Sequence, residues 1–170
     1  MIEAWRGDIT TLKVDAIVNA ANSALIGGGG VDGAIHAAAG PKLDAECAAL
    51  SGCATGQAKI TEGYNLPARY IIHTVGPIYG EEDGNEELLL ISCYMSSLIV
   101  AMEHGGIKSV AFPAISTGAF RYPKWDAAKI AVNAIIQFEH LYPDTIDKVV
   151  LVAYDEKTLK LYSELIKKEW

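Results

Sequence analysis

Val14-Asp15-Ala16-Ile17-Val18-Asn19-Ala20-Ala21-Asn22, joined by four residues to Gly27-Gly28-Gly29-Gly30-Val31-Asp32-Gly33 and an alanine-rich run to Ala39, decides the fold. Ala16-Ile17-Val18-Asn19 is short, apolar and rich in β-branched residues, the pattern of a strand buried on both faces. Val31–Ala39 has helix-forming composition, and Gly40-Pro41 ends it. A buried strand that passes through a glycine-rich loop into a helix is a building unit of layered α/β proteins.

Working outward, the same alternation continues. Ile2–Arg6 reads as a first strand, Lys42–Leu50 as a second helix closed by Gly52, and Ala58–Glu62 and Tyr70–Val75 as two strands. A long helix over Glu86–His104 takes Asn85 as its N-cap and ends at Gly105-Gly106. Ser109–Phe112 is a strand, and its loop, Pro113–Tyr122, leads to Pro123 at the start of a helix reaching about Glu139. Val149–Ala153 is a last interior strand, and Glu156–Lys168 a closing amphipathic helix. The uniformly apolar strands predict a sheet covered on both faces, and the adjacent pair at Ala58–Val75 makes it mixed. The fold class expected is α/β: one three-layer α/β/α domain over residues 1–170, with a mixed, mostly parallel central sheet.

Bulk properties narrow the function. The chain has 170 residues, 51% hydrophobic and 21% charged, an ordinary balance for a globular domain. No run approaches the roughly 18 apolar residues of a bilayer span. The N-terminus shows no basic stretch before an apolar block, so a cytoplasmic protein is expected. Cys47, Cys53 and Cys93 show no Cys-x-x-Cys spacing, which argues against a structural zinc or a catalytic thiol. The net charge of −7, with the only dense cationic group at Lys157, Lys160, Lys167 and Lys168, speaks against nucleic acid as a partner. Those lysines read as a solvated helix face near the negative end of the dipole. Nothing resembles a coiled coil, so a monomer is the simplest expectation.

In open α/β sheets ligands sit beyond the carboxyl ends of strands, a rule that singles out two loops. In Gly27–Gly33 the backbone has no side-chain shielding and runs into a helix N-terminus, whose free N–H groups favour an anion. Ser116-Thr117-Gly118-Ala119-Phe120 offers amides and hydroxyls ahead of another helix. Together they can hold a diphosphate with neutral donors, which reconciles an anionic ligand with an acidic chain. Gly28 to Gly33 also matches G-x-G-x-x-G. That pattern should follow its strand immediately, with an acidic residue closing a second strand about 20 residues on, and neither condition is met.

Gly7-Asp8-Ile9-Thr10, the stretch from Val14 to Asn22, Gly27 to Gly40, His73-Thr74-Val75-Gly76-Pro77 and Pro113 to Gly118, in this order, resemble the macrodomain family. Within it they are most similar to the MacroD-type ADP-ribosylhydrolases, which also act as O-acetyl-ADP-ribose deacetylases. The resemblance implies a function as an ADP-ribose-binding hydrolase that needs neither metal nor cofactor. Its partners would be ADP-ribose, O-acetyl-ADP-ribose and proteins mono-ADP-ribosylated on Asp or Glu. By the same resemblance Asp8 accepts the adenine amino group beside the Ile9 backbone, and Tyr154 stacks on adenine. Asn22 bonds the terminal ribose, Gly30 and Val31 with Ser116, Thr117, Gly118, Ala119 and Phe120 enclose the diphosphate, and Phe120 packs on that ribose. Each position also has a plainer reading: Asp8 as a turn cap with Thr10, Asn22 as an Asx-turn, and Phe120 or Tyr154 as an ordinary core or rim aromatic.

Asp32 is the expected catalytic residue, with Asn22 holding the ribose. The helix start stabilises its carboxylate, able to orient a water or a ribose hydroxyl yet intrinsically a weak base. Whether Asp32 or a substrate phosphate activates the water stays open. His36, four residues on, shares its helical face and reads as structural. Arg121 departs from the family, which usually has glycine there. It would resist positive φ, and would either add a cation beside the diphosphate or cover the terminal ribose. The rival expectation is a non-catalytic ADP-ribose reader.

Overall fold

The computed structural model describes residues 1–169. Its six strands are β1 (Ile2–Arg6), β2 (Ala16–Ala20), β3 (Ala58–Glu62), β4 (Tyr70–Thr74), β5 (Ser109–Phe112) and β6 (Lys148–Ala153). The helices are α1 (Gly30–Ala39), α2 (Pro41–Ala49), α3 (Glu86–His104), α4 (Lys124–Leu141) and α5 (Glu156–Glu169), with a 3₁₀ turn at Ile9–Thr11. One sheet forms in the order β1-β6-β5-β2-β4-β3. All neighbours are parallel except β3, which lies antiparallel on β4 at the edge. The mixed, mostly parallel sheet expected from the sequence is therefore present.

Alternation along the strands divides the core in two. Ala16, Val18, Ile72, Val110, Phe112 and Leu151 face one side, where Leu90, Leu98, Val132, Ile135 and Tyr162 of α3, α4 and α5 meet them. Ile17, Ile71, Ala111, Val150 and Val152 face the other, against Ile35, Ala39, Leu43 and Cys47 of α1 and α2. These are the three layers. Both faces are apolar because every interior strand must satisfy a helix on each side.

Some local expectations change. Asn85 stands at the N-cap position of α3, but its side chain makes no capping bond. The Glu86 carboxylate takes over that end, accepting from the amides of Gly80 and Glu82. These bonds, with the backbone amide of Glu86 first among them, lower the Glu86 pKa. By length and composition α3 alone among the described helices equals a bilayer span, contrary to the expectation that no run approaches one. It lies across the sheet with Leu90, Cys93, Tyr94, Ser97, Leu98 and Ala101 buried. The C-terminal lysines are exposed on α5, as a solvated face requires.

Candidate active site

Five parallel strands deliver their carboxyl ends to one rim, and the loops leaving β2 and β5, neighbours in the sheet, build a cleft of about 370 Å³ there. Ala20, Ala21, Asn22, Gly28 to Asp32, Gly76, Ala114, Ser116 and Gly118 to Phe120 line it. Asn22, Gly30, Val31, Asp32, Ser116, Gly118, Ala119 and Phe120, singled out in the sequence, thus line one cleft. Asp8, Ile9, Thr117, Arg121 and Tyr154 do not line it.

The first loop is held from within. Asn22 closes it by donating from Nδ2 to the Ile26 carbonyl and accepting the Ile26 amide on Oδ1 at 3.1 Å. The closure reaches four residues on rather than the two of the Asx-turn weighed for Asn22, and the residue also borders the cleft. Gly33 lets the loop fold back on α1, since a Cβ there would stand 2.4 Å from the Gly28 carbonyl oxygen. Gly29 occupies the N-cap of α1 and has no side chain to close the first amides of the helix. Those N–H groups point out of the helix start with the positive end of its dipole behind them.

The second loop turns on Ser116, held at φ 66°. Tyr122 and Arg121 amides donate to the Ser116 and Gly118 carbonyls at 2.8 and 3.0 Å, and Thr117 Oγ1 donates to the Ala114 carbonyl at 2.8 Å. The amides of Gly118, Ala119 and Phe120 have no partner among the described residues. Gly76, after β4, lets the loops meet, because a Cβ there would lie 2.2 Å from Ser116 Oγ. The Phe120 carbonyl is in turn tied to the Tyr79 amide at 2.9 Å.

Asp32 lies at the floor, 6% exposed. Its Oδ2 accepts the Gly28 amide at 2.8 Å, and its Oδ1 accepts Asn19 Nδ2 at 2.8 Å. His36 Nε2 approaches Oδ1 to 3.3 Å without a bonding angle, while His36 Nδ1 meets Asp44 at 2.8 Å. A carboxylate held by two hydrogen bonds, with the His36 ring packed beside it, is fixed in direction. It can orient a hydroxyl or a water without reorganising first.

The remaining positions flank the cleft. Asp8 and Tyr154 follow β1 and β6, which are hydrogen-bonded neighbours. Asp8 Oδ1 caps the 3₁₀ turn, accepting from the Thr10 amide and hydroxyl at 2.9 and 2.7 Å. The Ile9 side chain is buried in the core beneath α1. Tyr154 is 92% exposed, offering an open ring face at the rim. Next to it Asp155 accepts the Thr158 amide at the start of α5, and that bond, helped by Lys124, draws its carboxyl pKa down to about 2. Arg121 does adopt positive φ, 63°, and its guanidinium pairs with Glu81 at 3.1 Å on the exposed surface.

Sequence reasoning on spacing missed the polar cluster behind Asp32. Asn19, His73, Thr61 and Cys47, from β2, β4, β3 and α2, converge there although no two are close in sequence. The available signal was a polar residue inside each of two apolar strands, Asn19 after Ile17-Val18 and His73 after Ile71-Ile72.

Residues 18–131 match the family model described as Macro domain. The chain is 52% identical over 164 residues to "ADP-ribose glycohydrolase MACROD1" of Bos taurus, covering 96% of this chain and 50% of that protein. It thus spans half the length of that relative. Among solved structures, the Oceanobacillus iheyensis macrodomain with ADP superposes with a TM-score of 0.92 at 42% identity, covering 98% of this chain and 90% of that one. The Trypanosoma brucei macrodomain in complex with ADP-ribose gives 0.91 at 42% identity, covering 97% and 68%.

Proposed function

The chain belongs to the macro domain family, and from that premise we propose that it binds ADP-ribose and hydrolyses ester bonds at its terminal ribose. Substrates would be proteins carrying one ADP-ribose on Asp or Glu, and O-acetyl-ADP-ribose. The reading is carried by one observation: a buried carboxylate, Asp32, held by the Gly28 amide and Asn19 at the floor of a glycine-walled cleft. The diphosphate lies between the start of α1 and the Gly118–Phe120 amides, which supply neutral donors to an anion. Its adenosine extends past β6 toward Tyr154 and Asp8, and its terminal ribose reaches Asp32 and Phe120. Water adds to the ester carbonyl while Asp32 orients it or the ribose hydroxyl. The acyl C–O bond breaks, the ribose oxygen leaves as a hydroxyl with one proton from the water, and the acid departs as a carboxylate after losing the other proton to solvent. The bovine relative's name and the ADP-ribose complex of the trypanosome macrodomain support this assignment. Three free, buried cysteines suit a reducing, cytoplasmic setting.

The experiment is release of ADP-ribose from a mono-ADP-ribosylated acidic protein. Asp32→Ala abolishes release and keeps most affinity for ADP-ribose, measured by calorimetry. Release at the wild-type rate would refute the role of Asp32, and tight binding without turnover in the wild type would make the protein a reader.

A further inference from the structure

Behind Asp32 runs a line of hydrogen bonds that the proposed reaction does not touch. Asn19 and His73 stand directly opposite on β2 and β4, both wholly buried. Asn19 Nδ2 is 2.8 Å from Asp32 Oδ1 and 3.1 Å from His73 Nδ1. A carboxylate only accepts, so the atom facing it is the amide NH₂, and the second N–H is directed at His73 Nδ1. That nitrogen must offer a lone pair. A neutral imidazole then carries its proton on Nε2, 2.9 Å from Thr61 Oγ1, whose own hydroxyl donates to the Glu62 carbonyl at 3.2 Å. Only one tautomer satisfies the whole line. Burial, with His36 nearby, pushes the His73 pKa down to about 4, so the ring is neutral at pH 7.

We propose that His73, locked by Thr61 as the Nε2–H tautomer, is a positioning residue that orients the Asn19 amide and, through it, the Asp32 carboxylate. The inference rests on the role given to Asp32 above. Turned over, the Asn19 amide would set its carbonyl oxygen against the carboxylate, and Asp32 would swing on its remaining Gly28 bond. The same geometry argues against another use of the cluster. His36, Cys47 and His73 offer ligand atoms within 4.8 Å of one another, a spacing that invites a metal ion. A metal on His73 Nε2 would force the proton onto Nδ1, donor against donor, so that the Asn19 amide could not keep its bonds to both Asp32 and His73. Burial and the Asp44 charge also push the Cys47 thiol up to about 11, away from the thiolate a metal needs.

The test uses the full chain. Nitrogen-15 spectra at pH 7 show His73 protonated at Nε2, with and without ADP-ribose. His73→Leu keeps the volume but removes the acceptor, and lowers kcat by about tenfold or more while ADP-ribose affinity stays within about threefold. His73→Asn places an oxygen where Nδ1 stood and returns kcat to within about threefold of wild type. Thr61→Val frees the other tautomer and lowers kcat severalfold. An Nδ1–H tautomer, equal losses in the Leu and Asn variants, or undiminished turnover in His73→Leu would overturn the proposal. So would a cobalt–thiolate charge-transfer band abolished by Cys47→Ser. If the wild type released no ADP-ribose, the hydrolase reading would fall alone. The ring spectrum and the Asp32 carboxyl carbon-13 shift in His73→Leu against His73→Asn would still decide the positioning role.

Discussion

Replacing Gly33 by alanine puts the first loop under a load that can be calculated. The new Cβ would stand 2.4 Å from the Gly28 carbonyl oxygen, a backbone atom, so the glycine loop must retreat by about 1 Å to restore a normal contact. That retreat draws the Gly28 amide off Asp32 Oδ2, now 2.8 Å away. Overpacking costs about 1–3 kcal/mol, and a charge-assisted bond about 1.5–3 kcal/mol. Alanine in a helix returns about 0.5–1 kcal/mol relative to glycine. The net loss is about 1.5–5.5 kcal/mol, which in a domain of this size lowers Tm by roughly 3–22 °C. Turnover should fall by about a hundredfold, since a shift near 1 Å at the reacting group has that effect. Thermal unfolding, calorimetry with ADP-ribose and the release assay measure the three quantities. Gly118→Ala is the control: its Cβ meets nothing within 4 Å, and stability should stay within about 0.5 kcal/mol. A Gly33→Ala protein that melts with the wild type and turns over normally would refute the account of the loop.

Three other outcomes are expected. Tyr154→Ala leaves stability within about 0.5 kcal/mol, because the ring is almost fully exposed, but weakens ADP-ribose by about 1–3 kcal/mol if it stacks on adenine; calorimetry showing unchanged affinity removes that role. Arg121→Gly relieves the positive φ and breaks an exposed ion pair, so stability stays within about 1 kcal/mol; turnover should change more than affinity, and equal changes in both would count against this. Acidification removes stability through His73: the unfolded ring takes a proton near pH 6.5 and the folded ring only near 4, so the unfolded state binds more protons in between. Stability therefore falls as the pH drops through that window, by about 3 kcal/mol, and a urea series in which His73→Asn keeps the same slope would contradict it.

Strand and helix positions were legible because the interior strands are mostly apolar and glycine or proline lies just past the ends of α1, α2, α3 and α4. Ile2–Arg6, Ala58–Glu62, Glu86–His104 and Ser109–Phe112 stand where the pattern puts them. The glycine loops were legible too, since their place after β2 and β5 follows from the strand order alone. Harder to read was whatever depends on which way a side chain turns. Nothing in the sequence says that Arg121 reaches Glu81, or that Glu86 rather than Asn85 closes the start of α3. The group around His73 was hidden for a different reason: its members meet only because β3 returns antiparallel beside β4 and α2 crosses above them.

The amides on the cleft walls belong to the main chain, and that has a genetic consequence. A cradle of lysines can be dismantled one codon at a time, whereas no substitution except proline removes an N–H. Mutations in these loops therefore act by adding bulk or bending the path. Drift at such positions should be tolerated wherever a side chain can point to solvent, while divergence in ligand preference gathers at the two ends, around Tyr154 and Phe120.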